Sequence, residues 1–219
     1  MALLTAGGYA VRGGNILLPR VGVWAADLEL DASIDIKGSI SIEIAEGPTL
    51  VGTVVAGTMA YGYLCTRIVA GQAGLGKETA PKHYGGGTVR TVLTDLVATA
   101  GETLSPTIDP ALLSRPLAGW TTLRMPVGEA LAALVGTGMP SGTAWRFLPD
   151  GTLWIGAETW PDSTLSEWRE LDRMPREGRL ELGLNSPALL PATVLGDDRI
   201  DYVEHRIGRE GARATAWLA

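Results

Sequence analysis

The stretch Gly71-Gln-Ala-Gly-Leu-Gly76-Lys77-Glu78-Thr79 nearly matches a phosphate-binding loop, Gly-x4-Gly-Lys-Ser/Thr. Such a loop sets a hydroxyl directly after the lysine to hold Mg²⁺, and opens a helix whose amides and dipole face the phosphates. Here Glu78 stands in the hydroxyl's place, where its carboxylate would repel phosphate, and Pro81 and Gly85-Gly86-Gly87 follow instead of a helical run. The expectation is a Gly-rich loop, Gly71–Gly87, that binds no nucleotide. Its many glycines make ordering entropically costly for an isolated chain, so contact with a neighbouring subunit is expected to order it.

The two histidines, His83 and His205, have no Cys or His neighbour at metal-ligand spacing, and neither His-Glu-x-x-His nor Gly-x-Ser-x-Gly occurs. A surface or hydrogen-bonded role is expected for both. A glycosidase needs two carboxyls facing each other across a cleft. Asp197 and Asp198 are adjacent in a Gly-Asp-Asp-Arg stretch and read as turn residues. Asp27, Glu29 and Asp31 alternate along one strand and read as its solvated face. Cys65 is the only cysteine, so an internal disulfide or a Cys-rich metal site is impossible. No catalytic residue, cofactor or metal site is expected. Of the seven tryptophans, Trp120, Trp145, Trp154, Trp160 and Trp168 cluster in the middle of the chain. Trp160 and Trp168 flank a polar stretch and are candidate interface residues, together with His83 and Tyr84 in the Gly-rich loop.

The elements that would position these residues are mostly strands. Leu28 and Leu30 alternate with Asp27, Glu29 and Asp31; Ile34 and Ile36 alternate with Asp35 and Lys37; Ile40, Ile42 and Ile44 alternate with Ser39, Ser41 and Glu43. Period two sets the aliphatics on one face, and a hairpin is expected around Lys37-Gly38. Gly47 to Thr66 carries no charge over nearly the length of a membrane span. Its glycines, threonines and valines argue instead for two buried strands, Thr49–Ala56 and Tyr61–Ala70, joined by a Gly-rich turn. Val89, Val92, Leu93, Leu96, Val97 and Ala100 fall at helical spacing between an N-cap at Thr88 and Gly101. A second helix over Val127–Val135 starts after Pro126. A hairpin follows, Ala144–Leu148 and Thr152–Ala157, around Pro149-Asp150-Gly151. Further strands are expected at Arg179–Leu184, Ala192–Leu195, Ile200–Ile207 and Ala212–Leu218. The fold class is mainly β with an α+β insert: antiparallel tube-like barrel domains carrying a small helix-helix-hairpin module. The divisions expected are 1–76, an N-terminal β-domain; 77–160, the Gly-rich loop and insert; 161–177, a polar linker; and 178–219, strands completing a tube-like domain.

The chain has 219 residues, 46% of them apolar and only 19% charged, with 29 glycines and a net charge of −6. That is a globular, turn-rich composition with surface to spare for a partner. The pI of about 5.0 and the absence of any Lys/Arg run exclude tight nucleic-acid binding. The start, Met1-Ala-Leu-Leu-Thr5, lacks the charged and apolar regions of a signal peptide.

Three segments resemble the baseplate hub proteins of tailed bacteriophages. They are the helix Val89–Glu102; Trp120 followed by the helix from Pro126; and Trp145-Arg-Phe-Leu-Pro-Asp-Gly-Thr-Leu-Trp-Ile-Gly156. The ending, Ile200-Asp-Tyr-Val-Glu-His-Arg-Ile-Gly208 and Ala212–Trp217, is similar to paired strands closing a second tube-like β-domain. The resemblance spans about residues 88–219; this chain is shorter than typical hub proteins. It implies a non-catalytic virion subunit, assembled in the bacterial host cytoplasm. Such a subunit forms a threefold ring between the tail tube, distal tail proteins and central spike, with DNA passing through and no membrane insertion. Asp27, Glu29 and Asp31 would then line the lumen. The alternatives are a receptor- or glycan-binding tail-tip module and a distal tail protein.

Overall fold

The computed structural model describes residues 3–165, 167–208 and 211–219. Met1 and Ala2 of the N-terminal stretch, Ser166 of the expected linker, and Arg209 and Glu210 fall outside it. Its contacts divide the chain into two units, 1–70 with 159–219, and 71–158.

The first unit begins with β1 (Leu4–Ala6), β2 (Tyr9–Pro19), β3 (Ala25–Leu30), β4 (Gly38–Ile44), β5 (Thr49–Ala60) and β6 (Tyr63–Ala70). They pair antiparallel in the order β1-β4-β5-β6-β3-β2, and β1 pairs with β2 again, so the six strands close into a barrel. Alternation sends Ile16, Leu28, Leu30, Ile42, Leu50, Leu64 and Ile68 inward, each almost fully buried. Each such side chain contributes about 1.5–3 kcal/mol. The register of β2 against β3 shifts between Val11 and Gly13. A Cβ on Gly14 would sit 2.1 Å from the Asp27 carbonyl, and its φ of +133° also disfavours a side chain.

Two expectations need correction here. Residues 31–37 form a loop, with Ile34 56% exposed, instead of a strand and a hairpin at Lys37-Gly38. Closing the barrel places β3 between β2 and β6, and β4 between β1 and β5, so the two cannot be hairpin partners. The uncharged Gly47–Thr66 stretch is only half buried. β4 pairs with β5 only as far as Val54. Beyond the bulge at Val55, β5 pairs with β6 alone, and Val55, Met59 and Tyr61 stand 49%, 46% and 99% exposed. Tyr61-Gly62 is the turn, both with positive φ.

The second unit opens with a short 3₁₀ turn at Gly74–Gly76, then β7 (Lys82–Tyr84), β8 (Gly87–Thr88) and α1 (Val89–Ala100). Thr88 precedes α1 in extended conformation and Gly101 ends it in the left-handed region, its N–H donating to the Val97 carbonyl. α2 (Pro110–Leu113), β9 (Pro116–Leu117), β10 (Trp120–Thr122) and α3 (Val127–Ala133) follow, the last running into a π turn at Leu134–Gly138. β11 (Thr143–Phe147) and β12 (Leu153–Ala157) form the expected hairpin, with Gly151 at positive φ and Asp150 accepting the Thr152 N–H.

The chain then returns to the first unit with β13 (Trp168–Met174), β14 (Arg179–Leu184), β15 (Val194–Leu195), β16 (Asp198–Gly208) and β17 (Gly211–Leu218). β16 pairs with β2, and the sheet continues β16-β17-β14-β13. The N- and C-terminal strands thus share one sheet, which differs from the division into 1–76 and 178–219. The stretch 161–177 is not simply a linker. Trp168–Met174 pairs with β14 along its length, and it escapes a hydrophobicity reading because almost every residue in it is exposed. β13 is the last strand of the sheet, so its outer edge is unpaired among the described residues. Among the described residues no helix is long and apolar enough to cross a membrane.

Candidate interaction surfaces

The phosphate-loop lookalike is closed from within. The Glu102 carboxylate, just past the end of α1, accepts the N–H of Gln72 and of Gly74, each at 2.8 Å. These amides belong to the kind of backbone nest that would otherwise meet an anion. Lys77 turns away and donates to the Ala100 carbonyl at 2.8 Å. A Cβ on Gly74 would lie 1.9 Å from that same carbonyl, so only glycine allows the approach. Thr79 is buried, its hydroxyl donating to the Leu123 carbonyl. The segment Gly71–Thr79 is therefore anchored by its own unit, which corrects the expectation that a neighbouring subunit orders it. A lone Glu after the helix-ending Gly101 was the available signal, but it lies about thirty residues from the loop.

His83 is exposed on β7 and its Nδ1 is 2.9 Å from the Thr121 hydroxyl of β10. Tyr84 donates to Asp95 of α1, which also pairs with Lys82. The Lys82 ammonium, then the Tyr84 hydroxyl, hold the Asp95 carboxyl below the usual carboxylate range. Burial, then Asp95, push the Tyr84 phenol up. Trp160 is half-buried at φ +51°, with the guanidiniums of Arg20 and Arg199 over its ring at 5.7 and 5.2 Å. Trp168 is 39% exposed on the free edge of β13.

Asp27, Glu29 and Asp31 all lie on the outer face of the barrel, opposite in direction to Ala26, Leu28 and Leu30. They do not form a bare acidic row. Arg67 pairs with Asp27 at 3.0 Å and Arg12 with Asp31 at 3.1 Å. Both pairs are about half exposed, so each adds little stability, ~0–1 kcal/mol, but they neutralise most of the row.

His205 is fully buried between Ile16 of β2 and Ala214 of β17. Its Nε2 is 2.8 Å from the Leu189 carbonyl, which only a protonated Nε2 can satisfy, and Nδ1 meets no partner among the described residues. The ring is thereby held neutral, and burial pushes its pKa down to about 4.

The sequence showed no basic cluster, but the register makes one. On the polar face of the second half of the sheet, Arg169 pairs across to Gly183, Gly183 to Arg213, and Arg213 to Arg206. All four line one open trough of about 980 Å³, whose far side along the strands is lined by Asp172 and Glu181. Among the described residues no group of three or more His, Cys, Asp or Glu could hold a metal ion.

No protein-family model matches the chain, and no curated protein matches its sequence. Solved structures do. The 43 kDa tail protein of prophage MuSo2 from Shewanella oneidensis superposes with a TM-score of 0.65 at 12% identity, covering 99% of this chain and 95% of that one. A tail protein from Neisseria meningitidis MC58 gives 0.61 at 11%, covering 99% and 95%. The E. coli c3393 protein gives 0.68 at 12%, covering 99% and 76%. It is described as a type VI secretion component structurally similar to the T4 bacteriophage tail proteins gp27 and gp5. The fold is the tail-protein fold that the resemblance to baseplate hubs implies.

Proposed function

We propose that the chain is a non-catalytic structural subunit of a phage tail, a hub whose copies close into a ring between tail tube and spike. The observation that carries this is the pair of free edges on one sheet. The path β5-β6-β3-β2-β16-β17-β14-β13 begins at the outer half of β5, Val55–Ala60, unpaired on that side among the described residues, and ends at β13, Trp168–Met174. Exposed edges of this kind must be covered. Two different edges meeting head to tail generate a ring when the rotation closes. The apolar groups exposed there, Val55 and Met59 on one edge and Trp168 and Leu171 on the other, suit that contact. Pairing of β13 with its own copy, centred on Leu171, would oppose Arg169 to Arg173 and Glu170 to Asp172. Like charges directly opposite are unfavourable, so a two-edge contact is preferred.

Three copies per ring follow from the hub resemblance. The inner side of the barrel strands is filled by the core, so the outer face of β3 with Asp27, Glu29 and Asp31, which with Arg12 and Arg67 carries no excess of positive charge, turns to the axis, where DNA passes without being gripped. Trp168 belongs to the subunit contact, and His83, Tyr84 and Trp160 are assigned to contacts with neighbouring tail proteins. The site of action is the virion tail, after assembly in the host cytoplasm. The test is light scattering on wild-type protein, Met59→Lys, Leu171→Lys and an equal mixture of the two variants. The ring predicts that wild type assembles, that each variant stays monomeric, and that the mixture forms one-to-one pairs through the intact edge of each. Wild-type protein that remains monomeric up to millimolar concentration, or variants that assemble unchanged, would overturn this edge-to-edge ring. Six copies around the axis in a symmetry-free reconstruction of the tail end would instead make it a tube or distal tail protein.

A further inference from the structure

The polar face of β13, β14, β17 and β16 carries its charge in bands. One cross-strand row reads Arg169, Gly183, Arg213, Arg206. The next row along the strands reads Asp172, Glu181, Thr215, Glu204. A sheet that used these charges for its own stability would set opposite signs across from each other. Here Arg213 faces Arg206 and Asp172 faces Glu181, both unfavourable at Cβ separations of ~5 Å. Arg206 is held by Glu204 of its own strand at 2.9 Å. Arg169 and Arg213 have no hydrogen-bond or ion-pair partner among the described residues. Gly183 between them carries the Leu171 side chain against it, so the trough has an apolar floor between the two guanidiniums.

We propose that this trough is a docking site for an extended acidic segment of a partner protein, whose carboxylates meet Arg169 and Arg213. Planar guanidiniums bind carboxylates through paired hydrogen bonds, and the two arginines, two strands apart, are spaced by ~10 Å. A nucleic acid fits less well. Its phosphates are continuous and would meet the Asp172–Glu181 row ~7 Å away along the strands, whereas a peptide can place neutral or basic residues there. The proposal does not rest on the ring, because both arginines belong to one chain.

The experiment is fluorescence anisotropy of a labelled oligoglutamate peptide with the full chain at low salt, repeated with a duplex oligonucleotide. Arg169→Glu and Arg213→Glu are each expected to weaken oligoglutamate binding at least tenfold. Arg90→Glu, exposed on α1 and outside the trough, should leave it unchanged. Absence of binding, or an equal loss with Arg90→Glu, would overturn the site. Tighter binding of the duplex, lost on the same two substitutions, would overturn the peptide assignment and make the trough a phosphate contact.

Discussion

The buried His205 makes the stability of this protein depend on pH in a calculable way. In the unfolded chain the ring takes up a proton near its ordinary 6.5; in the folded chain it does so only near 4. Between those values the unfolded state binds the proton and the folded state does not, so stability falls with falling pH. The contribution is intact above the unfolded value and is lost progressively as pH drops from 6.5 toward 4. At ~1.36 kcal/mol per pH unit, the loss by about pH 4.5 is roughly 2.5 kcal/mol, a sizeable share of the ~5–15 kcal/mol that stabilises a typical domain. The physical origin is specific: protonation would place an N–H at Nδ1, where no acceptor stands among the described residues, without improving the bond to the Leu189 carbonyl. Urea unfolding followed by tryptophan fluorescence can read this, since Trp217 packs edge-on against Tyr202 in the same strand pair. His205→Leu is the comparison. It orphans the Leu189 carbonyl and should cost about 1–3 kcal/mol at neutral pH, but it removes the titrating group. The wild-type loss between neutral pH and pH 4.5 should exceed the variant's by roughly 2 kcal/mol. Equal losses in the two proteins would refute the assignment and place the acid sensitivity in the carboxylates.

Three further outcomes follow from the second unit. Glu102→Ala should leave the Gln72 and Gly74 amides without their acceptor, costing about 2–4 kcal/mol in all; hydrogen exchange at those two amides should accelerate, and unchanged protection would contradict the nest. Gly74→Ala should lower the melting temperature by more than a helix-propensity change would, because its Cβ meets the Ala100 carbonyl at 1.9 Å; a melting temperature within a degree or two of wild type would show that the loop can step aside. Arg146→Met should destabilise by about 3 kcal/mol, because the Glu158 carboxylate, with only 6% of its side chain exposed, loses the guanidinium 2.5 Å away; thermal unfolding that matches wild type would show that other groups carry Glu158.

The sequence by itself determined the local elements wherever one face is buried and the other is not. Val89–Ala100 repeats every three to four residues and ends at a glycine, so helix and cap were legible before any contact was known. The Pro149-Asp150-Gly151 turn fixed the β11–β12 hairpin for the same local reason. The alternation in Ile40–Ile44 gave a strand and its inward face, but not its neighbours. Where neither face contrasts with the other, the sequence was silent. β2, interrupted at Gly13 and Gly14, gave no alternation to read, yet it joins the barrel to the second half of the sheet. β13 is exposed throughout and passed for a linker. Charge was legible only as a sum. Asp27 and Asp31 read as a row of carboxylates until pairing brought Arg67 and Arg12 beside them, while Arg169, Arg206 and Arg213 met only through the register of four strands. Side-chain period and capping are properties of neighbouring residues, so the sequence states them. Barrel closure, strand register and the solitary burial of His205 depend on segments up to two hundred residues apart, and only the tertiary structure brings those together.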